Sequence, residues 1–264
     1  MSKIVVVGSI SMDLVMRTKR IPEGGETIFG DSFNIVPGGK GANQAVAIGR
    51  LSSVEDNIYI FGNVGEDIFS AELLSNLQNN NISTEHVGTV PQSTGVAQIT
   101  LYGGDNRIIY YPGANNLVRT NDWKNEWELI SDASIVVLQN EIPHEANLSI
   151  AKFCQENQVK VLYNPAPARE TDKEMIPFCD FITPNEHECS ELFPDKKLDE
   201  IIKIYPNKMI VTLGVDGSIY YDGTAVKKIP AIKAEVVDTT GAGDTFNGAF
   251  AYAISKGKEM NVAL

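Results

Sequence analysis

Residues 237–248 read Val-Asp-Thr-Thr-Gly-Ala-Gly-Asp-Thr-Phe-Asn-Gly and run into the apolar pattern of a helix. Small residues at Gly241, Ala242 and Gly243 let several backbone N–H groups converge, and a helix start adds partial positive charge. Such a turn can hold an anion, for example the charge on a phosphoryl group in transfer. Asp244 follows at once, and a carboxylate beside that hole can take the proton of an attacking alcohol. The plainer reading of Asp244 is a helix N-cap behind a flexible turn.

A second glycine turn, PGGKGANQA at 37–45, also opens a helix. It is not a Walker A loop, because Lys40 is followed by Gly41 instead of Ser or Thr, and no strand-GxGxxG-helix unit marks a dinucleotide site. Backbone N–H groups at Gly38 and Gly39 with the side chains of Lys40 and Asn43 suit a polyol; the alternative is a left-handed turn with a solvated lysine. Asp13, after Gly8-Ser9-Ile10-Ser11-Met12, stands at the carboxyl end of the first strand, where open α/β sheets bind ligands, and a carboxylate accepts two hydroxyl groups at once. Glu141, just past an apolar strand, suits the same role or is an ordinary loop glutamate. Asn185 and Glu188 sit three residues apart at a helix start, on one face, and hard oxygen ligands suit Mg²⁺ held through water. His187 and Cys189 have no second ligand pair at zinc spacing.

These residues need a frame. Apolar runs at 4–7, 58–61, 135–138, 159–163, 181–183 and 209–213 read as buried parallel strands. Amphipathic helices are predicted over 41–51, 66–78, 144–157 and 243–256. The alternation predicts an α/β fold: a doubly wound, mostly parallel sheet with helices on both faces, as one domain over 1–264. Two segments, 13–36 and 94–111, break the order. Gln98, Thr100 and Tyr102 alternate with Ile99 and Leu101, which predicts half-exposed antiparallel strands joined into a small β-sheet lid, a natural subunit contact.

A chain of 264 residues with 43% hydrophobic and 21% charged residues can bury a core that holds a rigid site. With 22 Lys and Arg against 34 Asp and Glu, the net charge is −12, which argues against nucleic acid and acidic membranes as partners. A phosphorylated ligand is then held by local groups. Three cysteines without CxxC spacing suit buried thiols, and neither a signal-peptide core nor an apolar run of membrane length is present, so a cytoplasmic protein is expected.

PGGKGANQA and VDTTGAGDTFNGAF resemble the two signature regions of the ribokinase (PfkB) family of sugar kinases. LQNEIP (138–143), NPAPA (164–168), TPNEHE (183–188) and VTLGVDG (211–217) follow in that family's order. The resemblance spans essentially the whole chain. It implies ATP-dependent phosphorylation of a small sugar, D-ribose first, with Asp244 as base and Gly241, Ala242 and Gly243 as anion hole. It implies that Ser11, Asp13, Gly38, Gly39, Lys40, Asn43 and Glu141 surround the sugar. Asn185, Glu188, Thr212 and Gly214 then serve the nucleotide, Glu188 with Mg²⁺ through water, and Asp238 and Thr240 a monovalent cation, K⁺. A homodimer through the lid sheet is implied as well. Two departures stand out. The family usually carries Asn at the position of Ser11, which leaves open another sugar or a nucleoside as acceptor. Family members also continue past the position of Leu264, which implies weakened nucleotide and K⁺ binding, or a sugar-sensing protein without turnover.

Overall fold

The computed structural model describes residues 2–103, 105–123, 126–233 and 239–264. In chain order the elements are β1 (Lys3–Val7), β2 (Ser11–Arg17), β3 (Ser32–Gly38), α1 (Lys40–Leu51), β4 (Asn57–Gly65), α2 (Ser70–Asn79), β5 (Ile82–Ser83), β6 (Val87–Val90), β7 (Gly95–Tyr102) and β8 (Asp105–Tyr111). There follow α3 (Trp127–Ser131), β9 (Ile135–Gln139), α4 (His144–Glu156), β10 (Lys160–Asn164), β11 (Phe181–Ile182), α5 (Glu186–Leu192) and α6 (Leu198–Ile204). The chain closes with β12 (Ile210–Thr212), β13 (Ser218–Tyr221), β14 (Val226–Ile229), α7 (Ala242–Ser255) and α8 (Met260–Ala263).

The central sheet runs β11-β10-β9-β1-β4-β5, with β6 also on β4, and its pairs are parallel. Its strands are rich in β-branched residues because both faces are covered. In β1, Val5 and Val7 join a core with α4 residues such as Ile150 and Cys154, while Ile4 and Val6 join another with Ile48, Leu73 and Phe250 of α1, α2 and α7. The period of two thus sends one strand into two cores. Helix α2 begins at Ser70, later than the predicted start at 66. Asp67 accepts the N–H of Phe69 (3.1 Å) and of Thr94 (2.6 Å), a side-chain turn that competes with helix.

The lid is a four-stranded sheet, β3-β2-β7-β8. Contrary to the antiparallel expectation, β2 and β7 pair in parallel, while β2–β3 and β7–β8 are antiparallel. Parallel neighbours need a long crossover, and here the chain passes through the central sheet between them. The predicted strand at 209–213 shortens to Ile210–Thr212. It joins the edge of the central sheet through the parallel bridges Ile182↔Met209 and Asn185↔Thr212, and on its other side pairs antiparallel with β13. A 3₁₀ turn at Gly214–Asp216 reverses the chain into that hairpin.

Helices α1 and α7 lie side by side with their N-termini together. A Cβ at Gly248 would stand 2.6 Å from Ala47 Cβ and 2.7 Å from the Gln44 carbonyl, so only glycine allows this approach. That contact brings the two glycine turns to one place.

Candidate active site

Helix α7 starts from Gly241, whose φ of +72° is a left-handed N-cap conformation. The first α-helical bond is Thr245 N–H to the Gly241 carbonyl (2.8 Å), so the amides of Gly243 and Asp244 lie in the turn whose donors point off the helix end. The Ala242 N–H is turned inward instead, to the Thr239 carbonyl at 3.1 Å. Ala242 and Gly243 are exposed, whereas Asp244 is only 8% exposed.

The Asp244 carboxylate is held by two amides. Asn43 Nδ2 donates to Oδ2 at 3.1 Å and Gln44 Nε2 to Oδ1 at 3.0 Å. Burial raises its pKa, and Lys40, Gln44 and Asn43 oppose the rise by favouring the anion. Gln44 is itself fixed. Its Oε1 accepts from Gln139 Nε2 (2.8 Å), and its Nε2 also donates to Asn164 Oδ1 (3.1 Å). Asn164 Nδ2 donates to the Thr183 carbonyl (2.9 Å), the Thr183 hydroxyl to Asn247 Oδ1, and Asn247 Nδ2 to the Gly243 carbonyl (2.8 Å). A chain of buried amides from β9, β10 and the end of β11 therefore sets both the carboxylate and the glycine turn before it.

On the other side, Gly39 bridges β3 and α1 with φ +90°, and a Cβ there would meet Ser11 N at 2.8 Å and Ser9 O at 2.9 Å. Glu141 Oε2 accepts from Ser9 Oγ (2.6 Å) and from the Lys40 N–H (3.0 Å), so Glu141 tethers the start of α1. Asp13, on β2, lies against Gly38, where a Cβ would collide with its carboxyl group. Burial lifts the Asp13 pKa to about 6; Glu141 and Asp244 push the same way and Lys40 opposes. Lys40 also lowers the pKa of Glu188, which burial raises. The Lys40 ammonium thus favours the charged form of Asp13, Asp244 and Glu188.

Asn185 and Glu188 form a reciprocal capping box at α5: Asn185 Oδ1 accepts the Glu188 N–H (2.8 Å), and Glu188 Oε2 accepts the Asn185 N–H (2.8 Å). Thr212 N–H donates to the Pro184 carbonyl (3.0 Å), which places the end of β12 beside that cap, and Gly214 follows on the surface. Among the described residues no cluster of three or more His, Cys, Asp or Glu side chains could cage a metal. Thr240 borders the cleft, and Asp238 lies outside the described residues.

The structure therefore gathers Asp13, Lys40, Asn43, Glu141 and Asp244 around one point, with Gly38, Gly39 and Gly241 giving the close approach. Ser11 is placed differently from its expected role. It is 1% exposed, and its hydroxyl accepts from Asn115 Nδ2 at 3.0 Å, inside the lid junction. Sequence reading missed Ser9, Gln44, Gln139, Asn164 and Asn247. Gln44 did carry a signal: it sits on the α1 stripe of Gly41, Ala42, Ala45 and Ile48, where a polar residue needs partners.

Asp13, Asn43, Thr240 and Gly241 line a cleft of about 630 Å³ between α1, α7 and the inner lid face, where Val15, Val36, Ile99 and Leu101 supply apolar walls. The model of the "pfkB family carbohydrate kinase" matches residues 1–264. The chain is 62% identical over 256 residues to the ribokinase of Lactococcus lactis, covering 97% of this chain and 85% of that protein. It is 42% identical to the ribokinase of Bacillus subtilis, covering 100% and 89%. Among solved structures, Arabidopsis thaliana ribokinase complexed with ribose and ATP superposes with a TM-score of 0.86 at 32% identity, over 100% of this chain and 89% of that one.

Proposed function

The chain belongs to the pfkB family of carbohydrate kinases, and on that premise we propose that it transfers the γ-phosphoryl group of ATP to D-ribose, giving ribose 5-phosphate and ADP. The relatives from Lactococcus, Bacillus and Arabidopsis carry the substrate assignment. The observation that carries the chemistry is the Asp244 carboxylate, buried at the mouth of the α7 turn and clamped by Asn43 and Gln44.

In this reading Asp13 and Glu141 accept sugar hydroxyls, Asn43 and the Gly38–Gly39 backbone complete the sugar contacts, and the hydroxymethyl group points at Asp244. Asp244 takes the hydroxyl proton as the oxygen attacks the γ-phosphorus in line. The N–H groups at the start of α7 face the charge that spreads over the phosphoryl oxygens. Positioning supplies much of the rate, because little covalent chemistry is left to the protein. Lys40 balances the acidic groups on either side of the path.

The nucleotide is assigned to the surface formed by Asn185, Glu188, Thr212 and Gly214. Mg²⁺, which neutralises phosphate charge, fits Glu188 as a ligand reached through water. A single half-buried carboxylate with Lys40 nearby suits an ion held mainly by phosphates and water, and not a protein cage. K⁺ is assigned to the loop of Asp238 and Thr240. Three unpaired, buried cysteines fit a reducing cytosol, and among the described residues no helix is long and apolar enough to cross a membrane. The outer lid face exposes Phe33 (53%), Ile35 (46%), Ile109 (71%) and Tyr111 (50%), and we assign it to a second copy of the chain. Sedimentation should then give a dimer, and Ile109→Lys a monomer.

A larger acceptor such as a nucleoside is the second reading, favoured by the apolar walls Val15, Val36, Ile99 and Leu101 of a cleft of about 630 Å³. The deciding experiment measures ADP release from Mg-ATP with K⁺ across ribose, deoxyribose, fructose and adenosine, beside Asp244→Asn. Ribose should give the highest kcat/KM and the variant none; ADP release stimulated most by adenosine would replace the ribose reading.

A further inference from the structure

We propose that Tyr110 supplies a sugar-recognising hydroxyl to the acceptor site and helps determine which pentose is accepted, an inference that rests on the ribose kinase reading above. The lid register carries it. Asp13 pairs with Ala97, and Ala97 with Tyr110, so these three residues form one row across β2, β7 and β8 and share the inner face. In the next row Ser11 pairs with Gly95. The strand between the tyrosine and the acidic residue is thus built from Gly95 and Ala97, the smallest side chains. A Cβ at Gly95 would stand 2.7 Å from Ser11 Oγ and collide with the Asn115 amide. The ring leans over this low ground, and its hydroxyl arrives 3.0 Å from Asn115 Nδ2 and 3.3 Å from Ser11 Oγ.

Asn115 fixes the direction of that hydroxyl. Its Oδ1 accepts the Ile10 N–H (2.9 Å), so the amide orientation is set, and the two N–H groups of its Nδ2 are shared among the Ile10 carbonyl, Ser11 Oγ and the Tyr110 oxygen, each at 3.0 Å. Tyr110 oxygen is therefore an acceptor toward Asn115, and Ser11, whose oxygen already accepts from the same amide, can donate to it. Either hydroxyl can be the donor of the Ser11–Tyr110 contact, and when Ser11 donates, the phenolic proton is free to turn toward a ligand. Burial raises the Tyr110 pKa, and the charges of Glu141 and Asp13 add to the rise, so the hydroxyl stays protonated as a donor on the same lid face as Asp13. Carboxylates only accept. A sugar hydroxyl that donates to Asp13 or Glu141 has lone pairs to fill, and Tyr110 is a donor pinned in reach of them. Ser11, short and enclosed, acts as the post that holds the tyrosine.

The test uses the intact chain, Tyr110→Phe, and Tyr205→Phe, at the end of α6 and away from the lid, as the control. Calorimetric titration without ATP gives Kd for ribose and for its 1-, 2- and 3-deoxy analogues, and ADP release gives KM and kcat. Tyr110→Phe should weaken ribose about tenfold in Kd and KM while kcat stays within about twofold, and Tyr205→Phe should match the parent. One deoxy analogue should bind both forms equally, because it already lacks the hydroxyl that Tyr110 reads; structural damage would instead weaken every analogue alike. A parent that binds no pentose sinks the ribose reading and this contact together. A parent that phosphorylates ribose, beside a Tyr110→Phe that binds each pentose as the parent does or weakens all of them equally, sinks the contact alone.

Discussion

In the proposed reading, the acceptor side and the nucleotide side of the site are built by opposite means. On the acceptor side Asp244 is 8% exposed, Gln44 and Gln139 are fully buried, and both Asp244 oxygens are held by side-chain amides from α1. On the nucleotide side Asn185 and Gly214 are exposed, Val215 is 90% exposed, and the bonds of Asn185 and Glu188 join residues three apart in one helix turn. The difference follows from what each side must do. A proton acceptor works only at a fixed angle and distance, which a dry network enforces. A nucleotide brings its own charge and much of its own contact surface, so a shallow shelf with a helix end suffices.

Breaking the dry side should cost most. Asp244→Asn keeps the size and removes the proton acceptor; kcat should fall by at least about a thousandfold with ribose Kd little changed. Gln44→Met removes a donor to Asp244 without opening a large cavity. We expect kcat down by roughly tenfold to a hundredfold. The acid limb of its pH profile should move to higher pH, because losing a bond to the anion raises the Asp244 pKa further. An unshifted limb would mean that Gln44 only packs. The pH dependence of ribose affinity is the next smaller effect. Asp13, with a pKa of about 6, accepts hydroxyls best when ionised, so ribose KM should rise about tenfold per unit as pH falls below about 6. Asp13→Asn should flatten that limb. Asn185→Ala touches only the shelf: loss of a cap costs about 1 kcal/mol, or roughly 3 °C in Tm, and nucleotide KM should rise while ribose Kd holds. If Asn185→Ala instead cut kcat as deeply as Gln44→Met, the contrast between the two sides would be wrong.

The same contrast explains what was legible in the sequence. The central strands were, since Ile4–Val7 and Ile135–Leu138 are apolar at each position and only burial on both faces tolerates that. The two glycine turns were, because close approach leaves its mark in residue type. Partnerships between distant residues were not. Nothing near Ser11 announces Asn115, 104 residues away, which encloses it, and a glutamine at position 44 looks the same whether it faces water or steadies a base. The parallel β2–β7 pairing was hidden for a similar reason: local alternation shows that a strand exists and which face is apolar, but not the direction of its neighbour.

The wide spacing of the catalytic partners also governs how the molecule comes into being. Asn43 and Gln44 meet Asp244 across 201 and 200 residues of chain, and β1 is flanked by β4 and by β9. Closing such loops comes late and slowly, because entropy is spent before the contact returns it. During synthesis β1 and β4 can pair while β9 is still unmade, and one edge of β1 must wait, open to mispairing with a neighbouring nascent chain. Asp244 follows every strand of the central sheet in the chain, so the scaffold around the site is synthesised before the carboxylate that it positions.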